Sequence, residues 1–443
     1  MPLHSKKRVL LDLLLKAVNV LLLRVGGSAL SFVFSILVAR MLGAEGAGLY
    51  FLAFSVMMFT SVMARLGFDG TILRFVAHNA ALEEWGKVQG AFRRIILITG
   101  LTTSLVGVLL FIGGGFLARE LFGKPDLEAP LRLMGLAVIP LSQMRLVGQA
   151  LKGLNKVAIS EAVASLVQPL IGLILLYPFI LLLGVEGAAL AFLLSSLGAA
   201  LLGHIYWWRN RKRWDAVSET PDNRQLASSA VPLWLSSTVN QAILPWAPVA
   251  LLGLWASTAD VGVFGAAARL ANLIAVFLVG INSVLAPQFS KMQATNRSQE
   301  IGALSRQFSL IVTLGCLPIF LILIFAGDWV MGLFGDQFRE GGSILAVLVI
   351  GQLAATLCGS VRMVLIMTGR EKDLRNSSFL SLLVLIGVAV ALIPIYGALG
   401  AAIASTAGTI VTNALPVFVI WKKMGIMTVP GLNLIFRDRP PPS

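Results

Sequence analysis

Residues 184–191 read GVEGAALA, and residues 397–404 read GALGAAIA. The same short pattern therefore occurs once in each half of the chain. Two weaker matches keep the order and nearly the same spacing: GAEGAGLY and STADVGVF at 43–50 and 257–264, and ELFG and GLFG at 120–123 and 332–335. Three matches in one order at an almost constant offset predict an internal duplication.

The chain around this repeat is much more apolar than a soluble domain. Of its 443 residues, 57% are hydrophobic and 13% are charged, and the mean hydropathy is +0.87. A soluble domain has about 25% charged residues. The composition therefore predicts an integral membrane protein. The net charge of +14 does not indicate nucleic-acid binding, because the basic residues form short clusters between apolar runs.

A transmembrane helix needs about 20 mostly apolar residues. The runs that meet this requirement are residues 18–39, 47–64, 95–117, 131–151, 159–183, 186–207, 228–254, 261–285, 308–330, 343–367, 377–395 and 398–421. Six runs per half is an even number, so both halves have the same orientation in the membrane. We expect an all-α integral membrane protein with 12 transmembrane helices in two parallel-duplicated six-helix lobes around a central cavity.

The positively charged residues predict the orientation of the spans. Most of the 35 Lys and Arg residues fall on one side of the twelve spans, together with both termini. On the opposite side lie only Arg40, Arg119, Lys124 and Arg339. This bias places both termini in the cytoplasm. The expected parts are an N-terminal six-helix lobe (1–208), a basic cytoplasmic linker (209–227), a C-terminal six-helix lobe (228–422) and a cytoplasmic tail (423–443).

Five arginines lie inside apolar spans, and four of them lie deep: Arg24, Arg145, Arg269 and Arg362. The fifth, Arg132, is at the external end of its span and can reach water. A charge at the bilayer centre costs roughly 2.5–3.5 kcal/mol on insertion scales. No acidic residue lies in the middle of a predicted helix, so the expected cavity is cationic. The planar guanidinium binds phosphate oxygens in a bidentate manner, and we expect these four residues to bind an anionic substrate. The alternatives are that Arg24 reaches the membrane surface along its own helix, and that Arg145 and Arg362 contact head groups.

The seventh span contains Pro232, Pro245 and Pro248 together with Asn240 and Gln241. Each proline removes a backbone hydrogen bond and bends a helix. Amides at that depth need polar partners or water. We therefore predict a gating helix whose three prolines bend it and whose two amides line the substrate path. A static kink is the alternative.

No catalytic or metal site can be assembled from the sequence. Cys316 and Cys358 lie within apolar segments, and the three histidines are scattered. A nucleotide-binding motif of the Walker A type is also missing from the sequence. We therefore expect a protein that is not an enzyme and that has no cofactor and no metal.

Residues 31–77 read SFVFSILVARMLGAEGAGLYFLAFSVMMFTSVMARLGFDGTILRFVA. This stretch resembles the opening of the polysaccharide-transporter flippases, a family of the multidrug/oligosaccharidyl-lipid/polysaccharide superfamily. The residues that carry the resemblance are Ala39–Arg40, Leu42–Gly43, Glu45–Gly46, Gly48–Tyr50, Leu66–Phe68 and Arg74–Ala77.

The resemblance implies a flippase that moves undecaprenyl-diphosphate-linked oligosaccharide across the bacterial inner membrane by alternating access. The oligosaccharide would be a unit of lipopolysaccharide O-antigen, capsule or exopolysaccharide. The implied partners are the lipid-linked sugar diphosphate and membrane lipid. A polymerase or another assembly protein is a further candidate partner, and nucleic acid is not one.

Relatives often carry an acidic residue in span seven, but the corresponding segment here, LPWAPVALLG at 244–253, has none. This departure puts in doubt any coupling mechanism that depends on such an acid. It also disfavours the first alternative function, a cation-coupled multidrug exporter of the same superfamily. A membrane-embedded glycosyltransferase is disfavoured because the external loops 118–130 and 331–342 are too short to form a domain. A transport-inactive member that binds partners is a third alternative.

Overall fold

The computed structural model describes residues 3–211, 219, 222–294 and 298–431. Within these ranges the chain is helical and contains no β-strand. The helices are α1 (Leu3–Ala64), α2 (Phe68–Ala81), α3 (Trp85–Phe116), α4 (Glu128–Gly153), α5 (Val157–Glu161), α6 (Gln168–Arg211), α7 (Asn223–Ser237), α8 (Leu244–Trp255), α9 (Thr258–Ala294), α10 (Ser298–Phe325), α11 (Gly327–Met331), α12 (Gly342–Cys358), α13 (Val361–Met367) and α14 (Glu371–Met424). Three segments are π-helical: Leu117–Leu121, Ala162–Val167 and Thr238–Ile243.

Seven helices of the described chain are long and apolar enough to cross a membrane. They are Asn19–Ala64, Trp85–Leu121, Pro125–Gly153, Val157–Asn210, Glu300–Phe325, Asp336–Cys358 and Glu371–Met424. The protein is therefore a multi-pass, all-helical membrane protein, as its composition predicts. The predicted linker at 209–227 and tail at 423–443 lie in large part outside the described residues.

The longest helices are each interrupted by a single glycine. Gly43 has φ 68° and ψ −177° within α1. Gly184 in α6 and Gly397 in α14 have φ 57° and 53°, and both have ψ −126°. These two residues are the first residues of the repeated octamers, and a residue with a Cβ atom would be strained at such a φ. The same glycine therefore makes the same turn in each half of the chain.

The turns at Gly184 and Gly397 each fold their helix into two antiparallel segments. In α6, Gln168 Nε2 donates a hydrogen bond to Ser195 Oγ at 3.3 Å. A Cβ atom added to Gly172 would lie 3.5 Å from the same Ser195 oxygen. In α14, the Cβ atom of Leu385 is 3.1 Å from the corresponding position on Gly408. The contacts join residues at similar distances before and after each turn, so α6 and α14 are two copies of one helical hairpin.

The second glycine of each octamer lies against the preceding segment of its own hairpin. A Cβ atom on Gly187 would be 1.9 Å from the Phe179 carbonyl oxygen, and one on Gly400 would be 2.3 Å from the Leu392 carbonyl oxygen. A side chain of any size would force these segments apart. The small residues of the repeat are thus explained by helix packing at the turn.

The tenth predicted run, 343–367, is not one helix. It divides into α12 and α13 because Gly359 has φ 71° and ends the first helix. Ser309 Oγ of α10 lies 2.7 Å from the carbonyl oxygens of both Thr356 and Leu357, and so satisfies acceptors at the end of α12. The matching helix of the first half, α4, is continuous. The two halves therefore differ at this point.

The chain forms two compact units. Unit 1 contains Met1–Leu42 and Leu49–Ala242, and unit 2 contains Gly43–Gly48 and Ile243–Ser443. In the core of unit 1, the rings of Phe92 and Trp207 stack with centroids 3.9 Å apart. In the core of unit 2, the segment that follows α14 is buried, and Arg306 donates a hydrogen bond to the Met427 carbonyl oxygen.

Close backbone contact explains why six residues of α1 belong to unit 2. A Cβ atom on Gly48 would lie 1.8 Å from the Thr258 carbonyl oxygen, and one on Gly262 would lie 2.1 Å from the Ala44 carbonyl oxygen. In the alignment of 43–50 with 257–264, Ala44 matches Thr258 and Gly48 matches Gly262. The contact is therefore reciprocal between matched segments. The Ala44 amide also donates a hydrogen bond to Gln337 Oε1 at 2.9 Å.

Gly400→Ala is expected to destabilise the protein by about 1–3 kcal/mol, because the new methyl group would overlap the Leu392 carbonyl oxygen. Gly387→Ala is the matched control in the same helix, since a Cβ atom on Gly387 meets nothing within 4 Å. Alanine favours helix over glycine by up to about 1 kcal/mol, so the control should be neutral or slightly stabilising. Thermal unfolding of the detergent-solubilised variants checks this, and equal melting temperatures would contradict the packing argument.

Candidate functional site

A buried ion pair follows the end of α1 in unit 1. Arg65 Nε donates to Asp69 Oδ2 at 2.8 Å, and the two side chains are 6% and 17% exposed. Arg65 Nη1 also donates to Ser61 Oγ at 2.8 Å, and that hydroxyl lies 3.0 Å from Ser142 Oγ on α4. The turn at Leu66 and Gly67, both with positive φ, directs the chain so that the carboxylate reaches the guanidinium. The charge of Arg65 is thus balanced within the unit.

A second ion pair lies between the ends of α4 and α5. Lys152 Nζ is 3.1 Å from Glu161 Oε1, and the Glu161 side chain is 9% exposed. Ser165 Oγ, in the π-helical segment Ala162–Val167, donates to the other carboxylate oxygen at 3.3 Å. The same segment contacts α1, since a Cβ atom on Gly27 would lie 2.1 Å from the Ser165 carbonyl oxygen. This close approach brings the α1 turn that carries Arg24 towards Glu161.

Arg145 lies on α4 within electrostatic range of four charged side chains, which are Arg65, Asp69, Glu161 and Arg24. Its side chain is exposed to a probe of the size of water. Nearby protein atoms nevertheless limit the hydration of its guanidinium. Arg24 on α1 is also exposed.

The charges of this cluster do not balance. Both carboxylates are engaged by other cations, since Asp69 pairs with Arg65 and Glu161 pairs with Lys152. Arg24 and Arg145 form no salt bridge with any residue in the part of the chain that the structure describes. The arrangement, which we call the unit 1 arginine site, therefore offers two accessible guanidiniums without counter-ions. An anion with several oxygens is the ligand that such groups bind most strongly.

The other predicted binding arginines belong to unit 2. Arg269 is half-buried on α9, and its Nη1 donates to the Gly265 carbonyl oxygen at 3.0 Å. Arg362 is half-buried on α13, directly after the break at Gly359. Each unit thus contains two of the four predicted arginines, and in unit 1 Arg24 lies within electrostatic range of Arg145.

The predicted gating residues lie around the π-helical segment Thr238–Ile243, at which the chain passes from unit 1 to unit 2. Asn240 Nδ2 donates to the Ser236 carbonyl oxygen at 3.0 Å. The side chain of Gln241 is exposed. The proline positions are also distinct: Pro232 is exposed within α7, Pro245 is exposed at the start of α8, and Pro248 is buried in α8. The sequence alone did not predict the π-helical turn.

Sequence reasoning missed the role of Arg65, because this residue lies just outside the apolar run 47–64. The i, i+4 spacing of Arg65 and Asp69 in RLGFD was the available signal. It was concealed because Leu66 and Gly67 between them are not helical, so helical spacing does not apply. The described residues contain no group of three or more His, Cys, Asp or Glu side chains that could hold a metal ion.

The chain is similar to a known protein family and to solved structures. The family model described as polysaccharide biosynthesis protein matches residues 14–293. A probable low-salt glycan biosynthesis flippase of Haloferax volcanii, Agl15, is 21% identical over 347 residues, which are 76% of this chain and 68% of that protein. An inward-facing multidrug resistance MATE family transporter has a TM-score of 0.76 at 15% identity, covering 90% of this chain and 94% of its own.

The lipid II flippase MurJ, in an inward closed conformation, has a TM-score of 0.72 at 12% identity. The match covers 89% of this chain and 85% of that chain. At such low identities the two solved structures establish the shared fold alone.

Asp69→Asn is expected to destabilise unit 1 by about 3 kcal/mol, because it leaves the Arg65 charge buried without a carboxylate. Asp336→Asn is the matched control: Asp336 pairs with Arg339, but the two side chains are 89% and 65% exposed. Exposed pairs contribute about 0–1 kcal/mol. Thermal unfolding in detergent measures both variants, and a fall of the same size in each would contradict the assignment of a buried structural pair.

Proposed function

Since this chain belongs to the polysaccharide biosynthesis protein family, we propose that it is a flippase for lipid-linked oligosaccharide. The observation that carries the proposal is the unit 1 arginine site. Arg24 and Arg145 are accessible and lack counter-ions, whereas the neighbouring carboxylates are already paired. The similarity to a probable glycan biosynthesis flippase supports the same function.

We propose that the ligand of the site is the diphosphate of a lipid-linked sugar, most specifically undecaprenyl diphosphate. A diphosphate has enough oxygens for two bidentate guanidiniums, and each charge-assisted hydrogen bond contributes about 1.5–3 kcal/mol. The attached glycan is an O-antigen, capsule or exopolysaccharide unit. Arg269 and Arg362 in unit 2 remain the other two proposed substrate-binding arginines. A glycan polymerase or another assembly protein would receive the flipped product.

The proposed architecture is twelve spans in two six-helix lobes, residues 1–208 and 228–422. The turns at Gly43, Gly184 and Gly397 support it, because each divides one long helix into two spans. The protein would lie in the bacterial inner membrane with both termini in the cytoplasm, as the basic residues indicate.

In the proposed alternating access, the gating helix changes its bend. The segment Thr238–Ile243 suits this role because it is π-helical and lies where the chain leaves unit 1. A π-helical turn has looser backbone hydrogen bonding than an α-helix and often occurs at functional sites. Asn240 and Gln241 supply polar groups at this turn. The prolines on either side of it have no backbone N–H, so each removes one helical hydrogen bond; they are Pro232, Pro245 and Pro248.

Arg145→Gln and Arg24→Gln are each expected to reduce flipping by about 10–100-fold, which corresponds to the loss of one or two charge-assisted hydrogen bonds. Arg145→Lys keeps the charge but loses the bidentate geometry, and it should fall between wild type and Arg145→Gln. The measurement is the accumulation of lipid-linked sugar on the cytoplasmic leaflet of a strain that lacks the gene and carries each variant.

Arg209→Gln is the control, because Arg209 is exposed at the end of α6 and lies outside the arginine site. It should restore flipping fully. Full restoration by both Arg24→Gln and Arg145→Gln would exclude the binding assignment. Efflux of a cationic dye such as ethidium by the purified, reconstituted protein, without movement of lipid-linked sugar, would favour multidrug export and overturn the proposed function.

A further inference from the structure

A second charged cluster lies where α3 passes to α4, at the opposite end of α4 from Arg145. It consists of Arg119, Glu128 and Arg132, and we call it the rim cluster. Arg119 is in the π-helical segment that ends the candidate span Trp85–Leu121, and the other two are near the start of the candidate span Pro125–Gly153. The shared end of two spans is where a membrane surface lies.

One carboxylate serves two guanidiniums in the rim cluster. Arg119 Nη2 is 2.8 Å and its Nε is 3.1 Å from Glu128 Oε2, while Arg132 Nη2 is 2.8 Å from Glu128 Oε1. Both carboxylate oxygens are therefore used, and one positive charge is left over. The Nε of Arg132 is buried without a hydrogen-bond partner among the described residues. The Arg119 and Arg132 side chains are 65% and 40% exposed, so guanidinium groups of the cluster remain accessible from outside the protein.

The cluster is held against a lipid-facing surface of α3. A Cβ atom on Gly114 would be 2.9 Å from Arg132 Cγ, and one on Gly115 would be 3.1 Å from Glu128 Oε1, so both side chains lie directly on the α3 backbone. The Arg132 guanidinium lies 5.8 Å from the centroid of the Phe111 ring. The adjacent apolar side chains Phe111, Ile112, Phe116 and Leu121 are 42%, 71%, 68% and 51% exposed.

The nearby ionisable groups restrict what this surface can bind. Glu120 and Asp126 are exposed, and neither forms a salt bridge in the described chain. Burial lowers the pKa of Lys124, the remaining cation of the connection. A surface that combines paired arginines, exposed carboxylates and exposed aromatic side chains suits a head group with a phosphodiester and acyl chains better than it suits a soluble polyanion.

We propose that the rim cluster binds the phosphodiester group of a membrane phospholipid. The phosphate oxygens accept hydrogen bonds from Arg119 and Arg132, and the acyl chains lie along Phe111, Ile112 and Phe116. The positive charge that Glu128 leaves unbalanced in the cluster then lies beside the phosphate. This site is independent of the proposed flippase function, because it lies on the outer face of one helical pair and its ligand is a resident lipid.

Native mass spectrometry of the purified full-length protein tests the proposal. The probes are dioleoyl phosphatidylglycerol, dioleoyl phosphatidylethanolamine and dioleoylglycerol, which has no phosphate. The wild-type protein should bind both phospholipids at least about tenfold more tightly than dioleoylglycerol, as expected for one charge-assisted hydrogen bond. Arg119→Gln combined with Arg132→Gln should abolish this preference. Arg119→Gln alone should weaken it, and because Arg119 is 65% exposed this variant should fold normally.

Arg339→Gln is the matched control, since Arg339 is equally exposed at 65% and pairs with Asp336 in unit 2. It should keep the preference for phospholipid. Equal phospholipid binding by the wild type and Arg119→Gln would overturn the proposal. Displacement of the phospholipid by millimolar inorganic phosphate would also overturn it, because the cluster would then be a site for free phosphate and not for lipid.

Discussion

The hydrocarbon interior of a bilayer offers no water to polar groups, and this constraint governs the whole structure. Backbone amides and carbonyls must be satisfied within helices, which is why the described chain contains no strand. The same constraint explains why each interruption of a helix is short. The turns at Gly184 and Gly397 occupy one residue each, and the break at Gly359 is covered by the Ser309 hydroxyl.

The same constraint decides how charge is distributed in unit 1. A buried cation is tolerated when a carboxylate lies beside it, as Asp69 does for Arg65. The half-buried Lys152 is likewise paired with the buried Glu161. Arg24 and Arg145 differ from them because they are accessible and have no carboxylate of their own. The contrast separates arginines that hold the fold from arginines that are available to a ligand. It also gives the proposed site a physical basis that does not depend on family resemblance.

The two halves of the chain share a helical hairpin, and they differ around Arg362. The hairpins of α6 and α14 share their turn torsions, the glycine after the turn and the contacts between their segments. The region of Arg362 is not duplicated in this way. Arg145 lies on a continuous helix, whereas Arg362 follows the break at Gly359. Arginines at similar positions in the two sequence halves therefore have different structural settings.

The sequence alone determined the class of the protein and the repeated segments, because these depend on composition and on the order of residues along the chain. Tertiary structure alone decided which arginines are paired. The Arg65–Asp69 pair crosses a non-helical turn, and Lys152 and Glu161 belong to different helices. Salt bridges form through side-chain distances across packed elements, and hydrophobic periodicity carries no information about those distances. The π-helical turn at Thr238–Ile243 was hidden for the same reason, since packing on either side of it sets the backbone hydrogen bonds.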